Sequence, residues 1–279
     1  MDDWKELFSE TEVRFIDHTR IDRPAWESFA IDDALAESIN REHSSNVVRI
    51  WRHTDTVVLG IADARLPHLT EATNWLINQG YQPVVRNSGG LAVVADAGVL
   101  SVSLLIRNGE KISIHQGYQK MVSFIKTLFS QWTHAIEAFE VVGSYCPGDY
   151  DLSINGKKFA GISQRRVRNG IAVQIYLSIE ADHQQRAKLI QSFYQKGLKN
   201  ETTRFNYPSV NPDTMEALET LLGIPLTVDD VIEKIKETLD TLPSEVIEND
   251  LDEAENVIYQ KRRKQMWERN KKALGALFL

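Results

Sequence analysis

Between residues 151 and 163 the chain alternates polar and apolar side chains on either side of a single Asn155-Gly156 dipeptide. Asn-Gly accepts the left-handed backbone of a two-residue hairpin, so residues 151–154 and 157–163 are expected to return on each other as antiparallel strands. Residues 170–179, Gly-Ile-Ala-Val-Gln-Ile-Tyr-Leu-Ser-Ile, form another β run placed to pair with the strand that carries Lys158. Strands joined this tightly do not build a doubly wound nucleotide fold, whose parallel pairs need long crossovers. The expected class is α+β: mostly antiparallel sheets flanked by helices.

The rest of the chain fits that class. Helical spacing covers 27–42, strands follow at 47–51 and 56–61, and a short helix at 69–79 closes on Gly80. Residues 82–86 read as a strand running into Asn87-Ser88-Gly89-Gly90, and β patterns recur at 91–94, 99–106 and 136–142 around an amphipathic helix at 115–132. After residue 180 the pattern turns helical, at 182–196, 212–222, 227–239 and 254–277. Thr227-Val-Asp-Asp has the form of a helix start with acids in its first turn. Thr241-Leu-Pro-Ser244 is the expected hinge, dividing a main domain at 40–240 from a helical extension at 241–279. Lys261-Arg-Arg-Lys264 reads as a solvated helix face.

Composition excludes several function classes. The 279 residues carry a net charge of −7, which argues against a phosphate backbone as partner, so no nucleic acid is expected. No apolar run approaches the ~20 residues of a membrane span, and Met1-Asp-Asp-Trp-Lys-Glu lacks the basic-then-apolar order of a secretory signal. A cytoplasmic protein is expected. Histidines at 18, 43, 53, 68, 115, 134 and 183 show no ligand spacing, so no metal site is expected.

Cys146 is the sole cysteine. A lone cysteine most often behaves as a small buried hydrophobe, so its neighbours decide how it reads. Pro147-Gly148-Asp149 is turn chemistry that sets the thiol at a corner, and the hairpin carries Lys157-Lys158 back toward it. The thiolate, not the thiol, attacks a carbonyl carbon. An ammonium ~4 Å away at an effective dielectric of ~20 offers about 4 kcal/mol toward that anion. In Arg86-Asn87-Ser88-Gly89-Gly90 the glycines let backbone approach a ligand and Arg86 supplies a forked donor, although for such a loop taken alone a plain β-turn with an arginine at its edge is the commoner outcome. Gln164-Arg165-Arg166-Val167-Arg168 reads either as a solvated loop or as a surface for an acidic protein.

Taken in order, Arg86-x-Ser88-Gly89-Gly90-x-Ala92-Val93 and Gly156-x-Lys158-x-Ala160-Gly161-x-Ser163 resemble the biotin/lipoate protein ligase and octanoyltransferase superfamily over roughly residues 40 to 240. Within it, Gly143-Ser-Tyr-Cys146-Pro-Gly-Asp-Tyr-Asp-Leu-Ser-Ile and Lys158-Phe-Ala-Gly-Ile-Ser-Gln-Arg-Arg closely resemble the N-octanoyltransferases that draw on the octanoylated glycine cleavage H protein. The resemblance implies a biotin/lipoate ligase catalytic domain with C-terminal helices, and an acyltransferase of protein lipoylation. It implies Cys146 as the acyl-loaded nucleophile and Lys158 as its activating cation. Arg86, Ser88, Gly89, Gly90, Gly161 and Ser163 would wall an acyl-lysine tunnel, with Val84, Ala92 and Val93 lining a slot for an eight-carbon chain. The implied donor is the octanoylated H protein, and the implied acceptors are lipoyl domains of 2-oxoacid dehydrogenase E2 subunits. Leu91 stands where ATP-using ligases usually have a third glycine, and Ala95-Asp96 replaces their His-Asp, so neither ATP nor another cofactor is expected. Three alternatives stay open: an octanoyltransferase fed by acyl carrier protein, an ATP-dependent lipoate–protein ligase, and a non-catalytic binder of lipoyl domains.

Overall fold

Asn155 and Gly156 both take positive φ, 52° and 75°, as a two-residue primed turn requires. The computed structural model describes residues 3–107 and 109–278. Its elements in chain order are β1 (Glu12–His18), α1 (Ala25–Asn40), β2 (Val47–Trp51), β3 (Thr56–Leu59), α2 (Leu69–Asn78), β4 (Gln82–Val85), β5 (Val93–Ala95), β6 (Val99–Ile106), α3 (Ile114–Leu128), β7 (Glu137–Ala138), β8 (Leu152–Ile154), β9 (Lys157–Val167) and β10 (Gly170–Ser178). There follow α4 (His183–Leu198), α5 (Leu218–Leu222), α6 (Val228–Leu239), β11 (Glu245–Glu248) and α7 (Glu253–Leu274).

Eight strands form one sheet in the order β11-β1-β2-β6-β10-β9-β8-β7, and β4-β3-β5 form a smaller one. The run from β2 through β7 is antiparallel throughout, with β9 and β10 in register from Gly170 opposite Val167 to Leu177 opposite Ala160. β1 pairs parallel with both its neighbours, as β3 does with β4. The class is the expected α+β, with a mixed but mostly antiparallel sheet.

Helices cover both faces. On one, Phe124 and Leu128 of α3 and Val231 and Ile235 of α6 pack with Val102, Leu104 and Val173 of the sheet. On the other, Ile31, Leu35 and Ile39 of α1 pack with Ile16, Val47 and Leu105. The α1 backbone lies so near the sheet that a Cβ on Gly170 would sit 1.9 Å from the Ala36 carbonyl oxygen. Every α1 residue except Asn40 is buried, because α7 lies along its outer side. There Arg262 and Arg263, expected on a solvated face, bridge to Glu37 and Glu27 of α1 at 2.7 and 2.8 Å.

Thr227 and Asp230 form a reciprocal capping box at the start of α6, as its sequence indicates. Elsewhere hydrogen bonds redirect the local pattern. Of 136–142, only Glu137–Ala138 pairs as strand, since the Asp151 carboxylate draws in the Val141 N–H. β5 starts at Val93, not Leu91, because the N–H groups of Leu91 and Ala92 go to Cys146 and Tyr194. The 212–222 helix is broken where the Glu216 N–H donates to the Lys158 carbonyl. β1, absent from the sequence reading, sits second from the edge of the large sheet.

Candidate active site

Cys146 lies in the loop between β7 and β8, between a fully buried Tyr145 and Pro147. Its φ is 46°, a left-handed conformation that costs a side-chain-bearing residue roughly 1–2 kcal/mol. Such strain persists only where surrounding contacts enforce it. Lys158, fully buried on β9, supplies them. Its ammonium lies 2.8 Å from Asp151 Oδ1 and donates to the carbonyls of Tyr145 and Cys146 at 2.9 and 2.8 Å, and to Ser144 Oγ at 3.3 Å. Asp151 Oδ2 in turn accepts from the N–H groups of Val141 and Gly148 at 3.2 Å each. Burial raises the Asp151 carboxyl above the usual carboxylate range, a shift that Lys158 opposes. The hairpin thus brings Lys158 to the cysteine corner, where it grips the backbone of the turn. Lys157 points elsewhere, 3.9 Å from Glu216.

The donors on the sulfur come from the glycine loop. Leu91 N–H donates to Cys146 Sγ at 3.0 Å and Arg86 Nη2 at 3.4 Å, and the same Nη2 reaches the Leu91 carbonyl at 2.7 Å. Two N–H donors, one on a guanidinium, suit a sulfur that carries negative charge. Gly90 makes the approach possible. Its φ is 97°, and a Cβ there would lie 2.3 Å from Arg86 Nη2 and 2.9 Å from Sγ. Ser88 is buried with its hydroxyl 3.4 Å from Ser163 Oγ, whereas Gly89 is exposed.

A second set of groups holds the loop from behind. A Cβ on Gly60 would fall 2.0 Å from the Gly90 carbonyl oxygen, so these backbones touch. Asp63 accepts from Gly60 N–H at 2.6 Å and from the Tyr194 hydroxyl at 2.9 Å, and that hydroxyl accepts from Ala92 N–H at 3.2 Å. Burial pushes the Asp63 carboxyl up to about 6, against the Gly60 and Tyr194 hydrogen bonds that pull it down.

The sulfur opens into a cavity of about 280 Å³ lined by Arg86, Gly90, Tyr118, Gly161 and Tyr176 among others. Behind it a tight slot of about 30 Å³ runs between Phe29, Trp51, Val58, Val93 and Ala95. Arg86, Gly161, Ser163 and Tyr176 line both spaces and so stand between them. Val93 therefore faces the slot, but Val84 faces a separate hollow beside the start of α1, and Ala92 is buried beneath the loop. Larger surface hollows, of about 600 Å³ over α2 and about 980 Å³ beside Arg20 and Arg52, include neither Cys146 nor its partners. No cluster of three or more metal-ligating side chains occurs among the described residues.

Of the eight catalytic and tunnel-wall residues expected from the sequence, Arg86, Gly89, Gly90, Cys146, Gly161 and Ser163 line this cavity, Ser88 is buried in the glycine loop, and Lys158 lies on β9 against the Cys146 turn. The Leu91 N–H, Asp63, Tyr194 and Tyr176 were not singled out. For the first three the sequence carries no local signal. Tyr176 had one, since the hairpin register puts it opposite Gly161.

Residues 24–240 match the family model of the lipoyl protein ligase A/B catalytic domain. The chain is 51% identical over 276 residues to the octanoyl-GcvH:protein N-octanoyltransferase of Oceanobacillus iheyensis, spanning 97% of this chain and 99% of that one. It is 44% identical over 278 residues to the Staphylococcus aureus protein of the same name, spanning 99% and 100%. Lipoate-protein ligase A bound with ATP shares the fold at a TM-score of 0.72 with 15% identity, over 95% of this chain and 99% of that chain. At this identity to its sequence relatives, over nearly the full length of both chains, the chain belongs to the octanoyl-GcvH:protein N-octanoyltransferases, acyltransferases built on the lipoyl protein ligase A/B catalytic domain.

Proposed function

We propose that the protein exchanges one amide for another, moving an octanoyl group from a lysine of the glycine cleavage H protein to the lysine of an E2 lipoyl domain, in the cytoplasm and without ATP. The observation that carries the mechanism is the sulfur of Cys146, bracketed by the Leu91 N–H and the Arg86 guanidinium in a cavity that shares four lining residues with an apolar slot. The thiolate adds to the octanoyl amide carbon, the C–N bond breaks, and the lysine amine leaves with a proton taken from solvent in the open cavity, giving an octanoyl thioester. The acceptor amine then adds to the thioester carbon, the C–S bond breaks, the proton lost by that amine returns to solvent, and the thiolate is restored. Arg86 is the cation in contact with the sulfur, and Lys158, paired with Asp151, acts on the nucleophile through the Cys146 turn that it pins. Arg86, Ser88, Gly89, Gly90, Gly161 and Ser163 hold the acyl-lysine. The catalytic unit is 40–240, with 241–279 as its extension.

The test is intact-mass analysis after mixing with octanoylated H protein. Wild type gains one octanoyl group on Cys146, and Cys146→Ser gains none and transfers nothing. Lys158→Ala loads far more slowly, and loading at the wild-type rate refutes its role. Loading only from octanoyl-acyl carrier protein, or transfer by Cys146→Ser given lipoate and ATP, would replace this reading with one of its rivals. Binding of lipoyl domains with no covalent loading would make the protein a binder.

A further inference from the structure

Tyr176 stands on β10 directly opposite Gly161 of β9, and the two share a face of the sheet. A Cβ on Gly161 would meet Tyr176 Cε1 at 2.7 Å and its hydroxyl oxygen at 3.4 Å, so the phenol ring lies across the glycine. The glycine is what lets the ring lie between the cysteine cavity and the slot. Tyr176 is only 8% exposed, and its hydroxyl makes no close, well-aligned hydrogen bond among the described residues, its polar neighbour being the Tyr145 hydroxyl. A buried phenol left so loses hydration that a ligand acceptor placed there restores.

Under the thioester reading above, the acyl carbonyl carbon is bonded to Sγ, so its oxygen lies in the cavity that Tyr176 lines together with Cys146. Of the other side chains there, Arg86 holds the Leu91 carbonyl and the sulfur through Nη2 while its Nε is buried without a partner, and Ser163 Oγ is 3.4 and 3.5 Å from Ser88 and Gln174. Gly161 offers no side chain. We propose that the Tyr176 hydroxyl donates a hydrogen bond to the acyl carbonyl oxygen and so stabilises the oxyanion formed when Cys146 or an acceptor amine attacks. Burial holds the phenol well above its ordinary pKa, so it keeps the proton that it donates. This inference rests on the thioester reading.

The test uses the full chain loaded from H protein bearing octanoyl labelled with ¹³C at the carbonyl. Isotope-edited infrared spectra and single-turnover loading rates compare wild type, Tyr176→Phe and Tyr145→Phe, the last removing the neighbouring hydroxyl of the ring stacked on Tyr176. Tyr176→Phe keeps the ring and the Gly161 packing. Its thioester carbonyl band moves to higher wavenumber, and its loading slows on the order of 100-fold, as for loss of one oxyanion donor. In Tyr145→Phe the band stays at the wild-type position. A Tyr176→Phe band and rate equal to wild type overturn the assignment, as does a band that moves only in Tyr145→Phe. A wild type that forms no labelled thioester overturns the thioester reading, and the assignment with it.

Discussion

At the scale of single residues, the site depends on side chains that are absent as much as on those present. Gly90 separates Arg86 from Cys146 by nothing but hydrogen, at a φ that other residues rarely adopt. Gly90→Ala therefore strains the backbone by about 1–2 kcal/mol and pushes the guanidinium off the sulfur. A displacement of ~1 Å at a reacting group costs on the order of 100-fold. The expected outcome is a chain that unfolds at modestly lower denaturant and loads octanoyl about 100-fold more slowly. In Gly89→Ala the new Cβ meets nothing within 4 Å, so that variant should keep wild-type stability in the same denaturant series. Glycines of this kind were legible in the sequence because their spacing after a strand is local. The Arg86 contact to the sulfur was not, since it joins residues 60 positions apart that only the tertiary fold brings together.

At the scale of elements, the glycine loop is held by the segment after β3 and by α4, through Asp63, Tyr194 and Ala92. This support has a pH signature. The Asp63 carboxyl titrates near 6 in the folded protein against an ordinary 3.8, so the folded state binds its proton more tightly than the unfolded chain does. Its contribution to stability is fully present below about pH 4 and is lost as pH rises through 6. The window is about two pH units wide, each worth ~1.36 kcal/mol, which caps the change at about 3 kcal/mol. Asp63→Asn does not titrate. Measured by urea unfolding, the stability gap between variant and wild type should move in the variant's favour by up to about 3 kcal/mol between pH 4 and pH 7; a pH-independent gap would show that Asp63 does not titrate there. Elements with a clean local pattern, such as the 155–156 hairpin and the capped α6, were readable in advance. The 91–94 and 136–142 segments were misread because side chains distant in sequence capture their N–H groups.

At the scale of the whole molecule, the end of the chain is part of the body that carries the site. The family match stops at Asp240, yet β11 beyond it completes the large sheet by pairing parallel with β1. Glu255 of α7 lies fully buried against Arg14, at 2.6 Å. Asn270 of α7 accepts from the Val85 N–H at 2.6 Å and donates to the Val85 carbonyl at 3.1 Å, one residue before Arg86. The sequence showed a charged helix and a hinge, but α1 as the surface covered by that helix follows only from the topology. Removing 241–279 would expose the outer side of α1 and strip Glu27 and Glu37 of their α7 arginines. It would also leave a buried Arg14 without its carboxylate, and loss of one partner from a buried pair costs roughly 3–5 kcal/mol by itself. That alone approaches the 5–15 kcal/mol that stabilises a typical domain. A chain ending at residue 240 should therefore fail to unfold cooperatively, bind a hydrophobic dye and elute as aggregate. A monomeric 1–240 chain with a sharp thermal transition would show instead that the sheet and α1 stand without their cover, and that the extension serves the site and not the fold.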